Sequence, residues 1–271
     1  MLKKLMKHEF RATGRIMLPL FAAVLIASVG ANFSVRGLLE TENRILNVFG
    51  TVLMTVFGVA IAAVCIVAFG LMIYRFYKNL LRDEGYVMLT LPVSLHQHIW
   101  SKLLVSIIWY AGTAVCIVIA VMILSIGTGF LAGIGEELPR IFADLRTDPL
   151  AAHIVPISLE ILLLVFFGIA STCMELYAAM AIGHSFPNHK LLLSAVAFLG
   201  IRFVIQLVSG VLTVVFGFSG FISSVADWVS NWPEIAIAHV VLIGLTVFSL
   251  IFSGVFYFLT VYFMGKRLNL E

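Results

Sequence analysis

Long apolar runs alternate with short polar segments along this chain, and the alternation predicts its architecture. A helix that crosses a bilayer needs about 20 apolar residues. Six runs qualify: residues 16–35, 46–74, 99–127, 155–183, 190–217 and 236–264. Because lipid offers backbone groups no hydrogen-bond partner, each run is expected to be helical. We therefore predict an all-α polytopic membrane protein with six transmembrane helices in a single domain, residues 1–271.

The first 15 residues predict a separate helix at the membrane surface. Basic side chains occupy most of its circumference, and the remaining apolar stripe consists of Leu2, Leu5, Met6 and Phe10. Basic amphipathic helices of this kind lie in the headgroup layer, and Gly14 permits a bend into the first span. A basic tail without fixed structure is the alternative.

The segment before the sixth span, residues 217–238, is too apolar for an aqueous loop and too broken for a span. A re-entrant or interfacial hairpin on the outer side fits this pattern, with Trp228 and Trp232 at headgroup level. Residues 127–154, between the third and fourth spans, are expected to form the longest outer loop.

Composition agrees with a membrane protein, since 62% of the residues are hydrophobic and 11% are charged, against about 25% charged in a typical soluble domain. Basic residues concentrate on the cytoplasmic side of membrane proteins. With the N-terminus inside, 12 of the 17 Lys and Arg residues lie in inner segments: Lys3, Lys4, Lys7, Arg11, Arg15, Arg75, Lys78, Arg82, Lys102, Lys190, Lys266 and Arg267. Both termini are therefore predicted to be cytoplasmic. The net charge of +3 reflects this topology and does not indicate a nucleic-acid partner.

The bridge between the second and third spans, residues 75–102, is predicted to be a compact cytoplasmic element. Its first part is amphipathic at helical spacing, and Gly85 interrupts that pattern. Leu91 precedes Pro92 and is pushed out of helical geometry, and Ser94 opens a capping box that begins the next helix. A docking surface suits this arrangement, and an ordinary solvated loop is the open alternative.

Three polar residues lie deep within the fourth and fifth spans: Glu175, Arg202 and Gln206. A short connection makes these spans antiparallel neighbours. At a rise of 1.5 Å per residue, Glu175 is about 12 Å and Arg202 about 18 Å from the inner ends. Because an unpaired Arg at the bilayer centre costs at least about 2.5–3.5 kcal/mol, we predict that the two residues pair. The pair either fastens two helices or lines a pathway for a polar substrate.

Motifs for catalysis are absent from the sequence. It contains no GxxxxGK[ST] phosphate loop, no HExxH and no GxSxG. The cysteines, Cys65, Cys116 and Cys173, lie in apolar runs without metal-ligand spacing. His184 and His189 are interpreted as polar loop residues. We therefore expect no enzyme activity, metal site or cofactor in this chain.

The order of these features resembles the type-2 permease family of ATP-binding-cassette (ABC) transporters. The bridge is similar to that family's pattern of acidic residues and Gly, then Leu-x-x-Pro-hydrophobic-Ser, then Lys. The residues at the corresponding positions are Asp83, Glu84, Gly85, Tyr86, Leu89, Leu91, Pro92, Ser94 and Lys102. Tyr86 and the adjoining acids Asp83 and Glu84 depart from the usual pattern, which leaves the substrate class open.

The resemblance implies an exporter permease in a bacterial cytoplasmic membrane. It would pair with a second permease copy or a homologue, and separate ABC ATPase subunits would bind ATP and Mg²⁺. The bridge would then be the coupling helix, and residues 1–15 the elbow helix. Two other classes stay open: a secondary transporter or channel that uses Glu175 and Arg202, and a membrane scaffold that transports nothing.

Overall fold

The fold was analysed in a computed structural model, which describes residues 2–38, 43–81, 85, 92–147 and 151–267. Every regular element in these ranges is a helix, and six of the helices are long and apolar enough to cross a membrane. The prediction of an all-α polytopic membrane protein is confirmed.

Eight α-helices follow one another along the described chain. They are α1 Leu2–Phe33, α2 Arg44–Phe76, α3 Leu95–Ser125, α4 Phe130–Thr147, α5 Ala151–Gly183, α6 Lys190–Phe218, α7 Phe221–Val229 and α8 Glu234–Lys266. Two π-helical turns, Ser34–Leu38 and Tyr77–Leu81, extend α1 and α2. The candidate spans contain α1, α2, α3, α5, α6 and α8, so all six predicted runs are confirmed as long apolar helices.

The predicted break between an N-terminal surface helix and the first span is wrong. Helix α1 runs without interruption from Leu2 to Phe33. Gly14 is buried within it, and a Cβ there would lie 3.6 Å from the Trp109 ring. A Cβ would thus be at ordinary contact distance, and Gly14 lies within a continuous helix without introducing a break.

Two other elements refine the predictions for the outer side. Residues 127–154, expected to be a loop, contain the 18-residue helix α4. The predicted hairpin before the sixth span contains α7, which follows Gly220 in a left-handed conformation (φ 69°). Trp228 and Trp232 meet edge to face there, with ring centroids 4.4 Å apart. The depth of this segment in the membrane stays a prediction.

The chain divides into two compact units. The first comprises Met1–Arg75 and Gln97–Asp148. Its core is built from one face each of α1, α2 and α3, and the buried side chains are Met17, Val24, Ala31, Phe57, Val64, Ala68, Leu71, Met72, Val105, Trp109, Cys116 and Ala120. Spacings of three, four and seven residues put each contribution on one helical face.

The second unit comprises Phe76–His96 and Pro149–Glu271. Helix α5 is its centre, because α5 packs against both α6 and α8. The contact between α5 and α6 is closest at Gly183, where a Cβ would overlap the Oγ and the backbone nitrogen of Ser194. Only glycine permits this approach of the two backbones.

We therefore predict that Gly183→Ala destabilises the protein by about 3 kcal/mol, because a methyl group there collides with the rigid backbone of α6. The measurement is the unfolding transition of the detergent-solubilised chain, followed by circular dichroism. Gly200→Ala is the matched control, since no atom lies within 4 Å of a Cβ at that helical position. Equal transitions for the two variants would contradict the close contact.

Candidate functional site

The predicted coupling residues fall partly outside the described ranges. Those outside are Asp83, Glu84, Tyr86, Leu89 and Leu91, whereas Gly85, Pro92 and Ser94 are described. Gly85 is buried and Pro92 is exposed. Ser94 directly precedes α3, which begins at Leu95. The helix start predicted from the capping box is therefore confirmed.

Both ends of the bridge are anchored by aromatic residues in the second unit. Phe76 stacks on Tyr177 of α5 with centroids 3.9 Å apart and rings 8° from parallel, and both side chains are buried. Tyr77 meets the ring of His184 edge to face, 5.4 Å away. At the other end, His96 Nδ1 forms a hydrogen bond with the Tyr257 hydroxyl of α8. The bridge is thus fixed to the helices α5 and α8.

His184 supports this anchoring as a neutral, buried side chain. Its Nδ1 donates a hydrogen bond to the carbonyl oxygen of Met180, 2.9 Å away. Burial lowers the pKa of the His184 imidazole, and the nearby Lys190 lowers it further. The ring is therefore neutral at pH 7. The sequence predicted an ordinary polar loop residue, whereas His184 is buried and packed.

The helices that flank the bridge are held in the first unit by one carboxylate. Glu9 Oε2 accepts hydrogen bonds from Arg75 Nε at 3.0 Å and Nη2 at 2.8 Å. Glu9 Oε1 accepts a hydrogen bond from Lys102 Nζ at 2.7 Å. Arg75 lies at the end of α2, Lys102 in the second turn of α3, and Glu9 on α1. We call these three residues the Glu9 clamp.

The surroundings of the clamp fix the position of Glu9. One turn along α1, Thr13 Oγ1 donates to the Glu9 carbonyl oxygen at 2.8 Å and accepts from Trp109 Nε1 at 2.7 Å. The Trp109 ring also stacks on Phe10, with centroids 4.7 Å apart. Helix α1 is therefore held to α3 by Glu9 itself and by the contacts of Phe10 and Thr13 directly after it.

The path of the chain connects these two sets of contacts. The second unit begins at Phe76, directly after the clamp residue Arg75, and the chain returns to the first unit at Gln97. The bridge therefore belongs with α5 and α8, whereas the two helices that it joins belong with α1. The bridge is therefore covalently continuous with both units.

The predicted intramembrane pair is confirmed by distance. Arg202 Nε lies 2.7 Å from Glu175 Oε1, and the neighbouring approach of Gly183 to Ser194 shows that α5 and α6 run antiparallel. This Oε1 atom is nevertheless buried without a well-directed hydrogen bond. The contact is therefore an ion pair whose N–H direction is poor, although its charges are close.

The two members of this pair have different environments. The Glu175 side chain is 5% exposed and the Arg202 side chain 54% exposed. The guanidinium also lies over the Phe198 ring, 5.5 Å from its centroid. Gln206 follows one turn later on α6 and is exposed as well. Arg202 and Gln206 thus form an exposed polar stripe on α6, whose exposed large side chains are mostly apolar.

A second polar group in the membrane helices was not found from the sequence. His239 Nδ1 of α8 lies 2.7 Å from Glu160 Oε1 of α5, and His239 Nε2 lies 3.0 Å from His153 Nδ1. The Glu160 carboxylate accepts a hydrogen bond from His239 Nδ1–H, and His239 Nε2 and His153 Nδ1 share a hydrogen bond whose direction depends on the tautomers of the two rings. Among the described residues, no group of three His, Cys, Asp or Glu side chains has the geometry to hold a metal.

Sequence reasoning also missed Glu9, although a signal for it exists. It is the only acidic residue in the first 33 positions. It also continues, with Thr13, the four-residue spacing from Leu5 to Met17 on the buried face of α1. A lone acid on the packed face of a basic helix indicates a cationic partner on another helix. His153 and His239 carry no comparable signal, because nothing in their local sequence connects α5 with α8.

Comparison of the chain with protein-family models, with curated proteins and with solved structures gives no match.

We predict that Glu9→Gln destabilises the protein by about 3 kcal/mol, because it leaves two nearby cations without their shared carboxylate. The measurement is the unfolding transition in detergent. Glu137→Gln is the matched control in the same unit, since the Glu137–Arg140 pair is exposed on both sides and such pairs contribute at most about 1 kcal/mol. Similar losses of stability in the two variants would show that the Glu9 clamp does not stabilise the first unit.

The roles of the intramembrane pair are separated by a charge swap, Glu175→Arg with Arg202→Glu. We expect Glu175→Gln and Arg202→Gln to reduce stability, because each leaves a charge in the membrane without its partner. A swap that restores both stability and transport activity identifies a pair that only fastens the two helices, since an ion pair is symmetric. A swap that restores stability but not transport activity identifies residues that line the substrate pathway. Normal stability and function in both single variants would exclude both roles.

Proposed function

We propose that this chain is the membrane-spanning permease subunit of an ATP-driven exporter of the ABC type. A separate ATPase subunit would dock on the bridge and hydrolyse ATP with Mg²⁺. The observation that carries the proposal is the double attachment of the bridge. Its ends contact Tyr177, His184 and Tyr257 in one unit, while the Glu9 clamp holds its flanking helices in the other.

This arrangement supports the proposal because coupling requires an element that cannot move alone. A subunit that pushes the bridge would displace α5 through the buried stack of Phe76 on Tyr177, and α8 through the hydrogen bond of His96 to Tyr257. The same displacement pulls on α2 and α3 through Arg75 and Lys102. An ordinary solvated loop needs neither set of contacts. The resemblance of the bridge to the coupling region of type-2 permeases points to the same role.

The proposed membrane location rests on the spans and on the distribution of basic residues. The spans make this a multi-pass membrane protein, and we propose a bacterial cytoplasmic membrane with both termini on the cytoplasmic side, since basic residues flank the inner ends. We further propose that a second permease copy or a homologue completes the transporter. The exposed polar stripe of Arg202 and Gln206 favours that arrangement, because lipid is an unfavourable neighbour for an exposed guanidinium.

The same stripe also favours a second candidate, a secondary transporter or channel in which Glu175 and Arg202 bind the moving ion or substrate. Transporters of that class keep paired charges at membrane depth. The two candidates differ in their requirement for an ATPase. Transport that persists in vesicles without ATP and stops on loss of a proton or sodium gradient would favour the secondary transporter.

We predict that the full chain co-purifies with an ATPase that contains a phosphate loop, and that Asp83→Lys with Glu84→Lys abolishes this association. Reversing two adjacent charges on a docking surface introduces like-charge repulsion, which costs several kcal/mol at an interface. The measurements are the amount of bound ATPase and its rate of ATP hydrolysis. Both should fall at least tenfold, while membrane insertion is unchanged.

The matched control is Glu136→Lys with Glu137→Lys, which makes the same charge change on the exposed helix α4. It should leave ATPase binding intact. Equal ATPase binding by the bridge variant and the wild-type chain would overturn the coupling role. Absence of any co-purifying ATPase would overturn the ABC assignment itself.

A further inference from the structure

An open groove lies along the first turns of α1, beside α3. Its volume is about 570 Å³, and its lining consists of Lys3, Met6, Lys7, Phe10, Arg11 and Val105. Three of these side chains are cations at spacings of four residues, so they line one edge of α1 in a row. The other three are apolar and form the floor.

The charge of this groove is not compensated within the described part of the chain. Glu9, the only acidic residue of α1, directs both carboxylate oxygens to Arg75 and Lys102. Lys3, Lys7 and Arg11 are exposed, and no ion pair joins any of them to a described carboxylate. Three neighbouring cations without a counter-ion attract an anion.

The apolar floor of the groove limits the classes of anion that fit this site. Phe10 is 40% exposed, yet its ring is held in place by stacking on the buried Trp109. Met6 and Val105 continue this apolar surface. A small hydrophilic anion such as phosphate gains nothing from such a floor. A phospholipid has both parts, an anionic headgroup for the cations and acyl chains for the floor.

We propose that this groove binds one anionic phospholipid, with its phosphate and headgroup at Lys3, Lys7 and Arg11 and an acyl chain against Met6, Phe10 and Val105. The site does not depend on the proposed transport function. The bound lipid would join the basic edge of α1 to α3. This gives the basic residues at the start of α1 a specific role, lipid binding, in place of a general attraction to the headgroup layer.

The experiment is a titration of the purified full chain in neutral detergent with short-chain phosphatidylglycerol, followed by native mass spectrometry. Each Lys or Arg near an anionic lipid contributes about a fivefold change in affinity. Lys7→Gln with Arg11→Gln should therefore weaken binding by about 25-fold. The matched control, Lys4→Gln with Arg15→Gln, removes two charges from the same helix outside the groove and should weaken binding by less than about threefold.

Two ligand controls identify the source of the anion. Phosphatidylcholine should bind at least tenfold more weakly than phosphatidylglycerol, and glycerol phosphate or inorganic phosphate should not compete at equal concentration. Competition by the soluble phosphates would overturn the lipid assignment in favour of a phosphate site.

The protein variants test the position of the site. Equal losses of binding affinity in the two double variants would rule out the groove as the binding site, since charge would then act from anywhere on α1. Phe10→Ala should weaken phosphatidylglycerol binding, and unchanged binding would exclude the apolar floor.

Discussion

The carboxylate of Glu9 on α1 has partners on two other helices. The positions of α1, α2 and α3 in the first unit therefore depend on one another. A carboxylate withdrawn from water is costly unless hydrogen bonds replace its hydration. Both oxygens of Glu9 are used, and the donors come from the end of α2 and the start of α3. A shift of α1 by one residue rotates its side chains by about 100° and breaks both contacts. The clamp therefore sets the register in which Met17, Val24 and Ala31 reach the core.

The Glu9 clamp and the Glu175–Arg202 pair show how differently charge can be accommodated near a membrane. In the Glu9 clamp the Lys102 side chain is 5% exposed, and the pair is enclosed by protein. In the second unit Arg202 is half-exposed on a helix whose exposed large side chains are mostly apolar. Apolar exposure carries no cost against lipid, but guanidinium exposure does. Water or another polypeptide must therefore meet Arg202, and this requirement makes α6 the side of the chain where a polar neighbour is needed.

The sequence predicts whatever depends on local pattern. Run length identified the six long helices, and depth along α5 and α6 identified the pairing of Glu175 with Arg202. Helix α4 was missed because Gly133, Gly135 and Pro139 suggest a loop, although Phe130, Ile134 and Leu138 keep a four-residue spacing. Contacts between distant segments were not predictable: the two cationic partners of Glu9 follow it by 66 and 93 residues. Short-range periodicity contains no information about which helices become neighbours.

The chain passes from the first unit to the second between Arg75 and Phe76, at the start of the bridge. Arg75 is paired with Glu9, and the next residue, Phe76, is stacked on Tyr177. The π-helical turn Tyr77–Leu81 follows at once. Such turns form a looser helix than α-helical turns and occur often at functional sites. Its residues Asn79, Leu80 and Leu81 are buried, so the turn is packed and not free to unwind. The described start of the bridge is therefore fixed residue by residue: Arg75 by the clamp, Phe76 by the aromatic stack, and the end of the turn by burial. If an ATPase docks on the bridge as proposed, these are the contacts through which it would act on each unit.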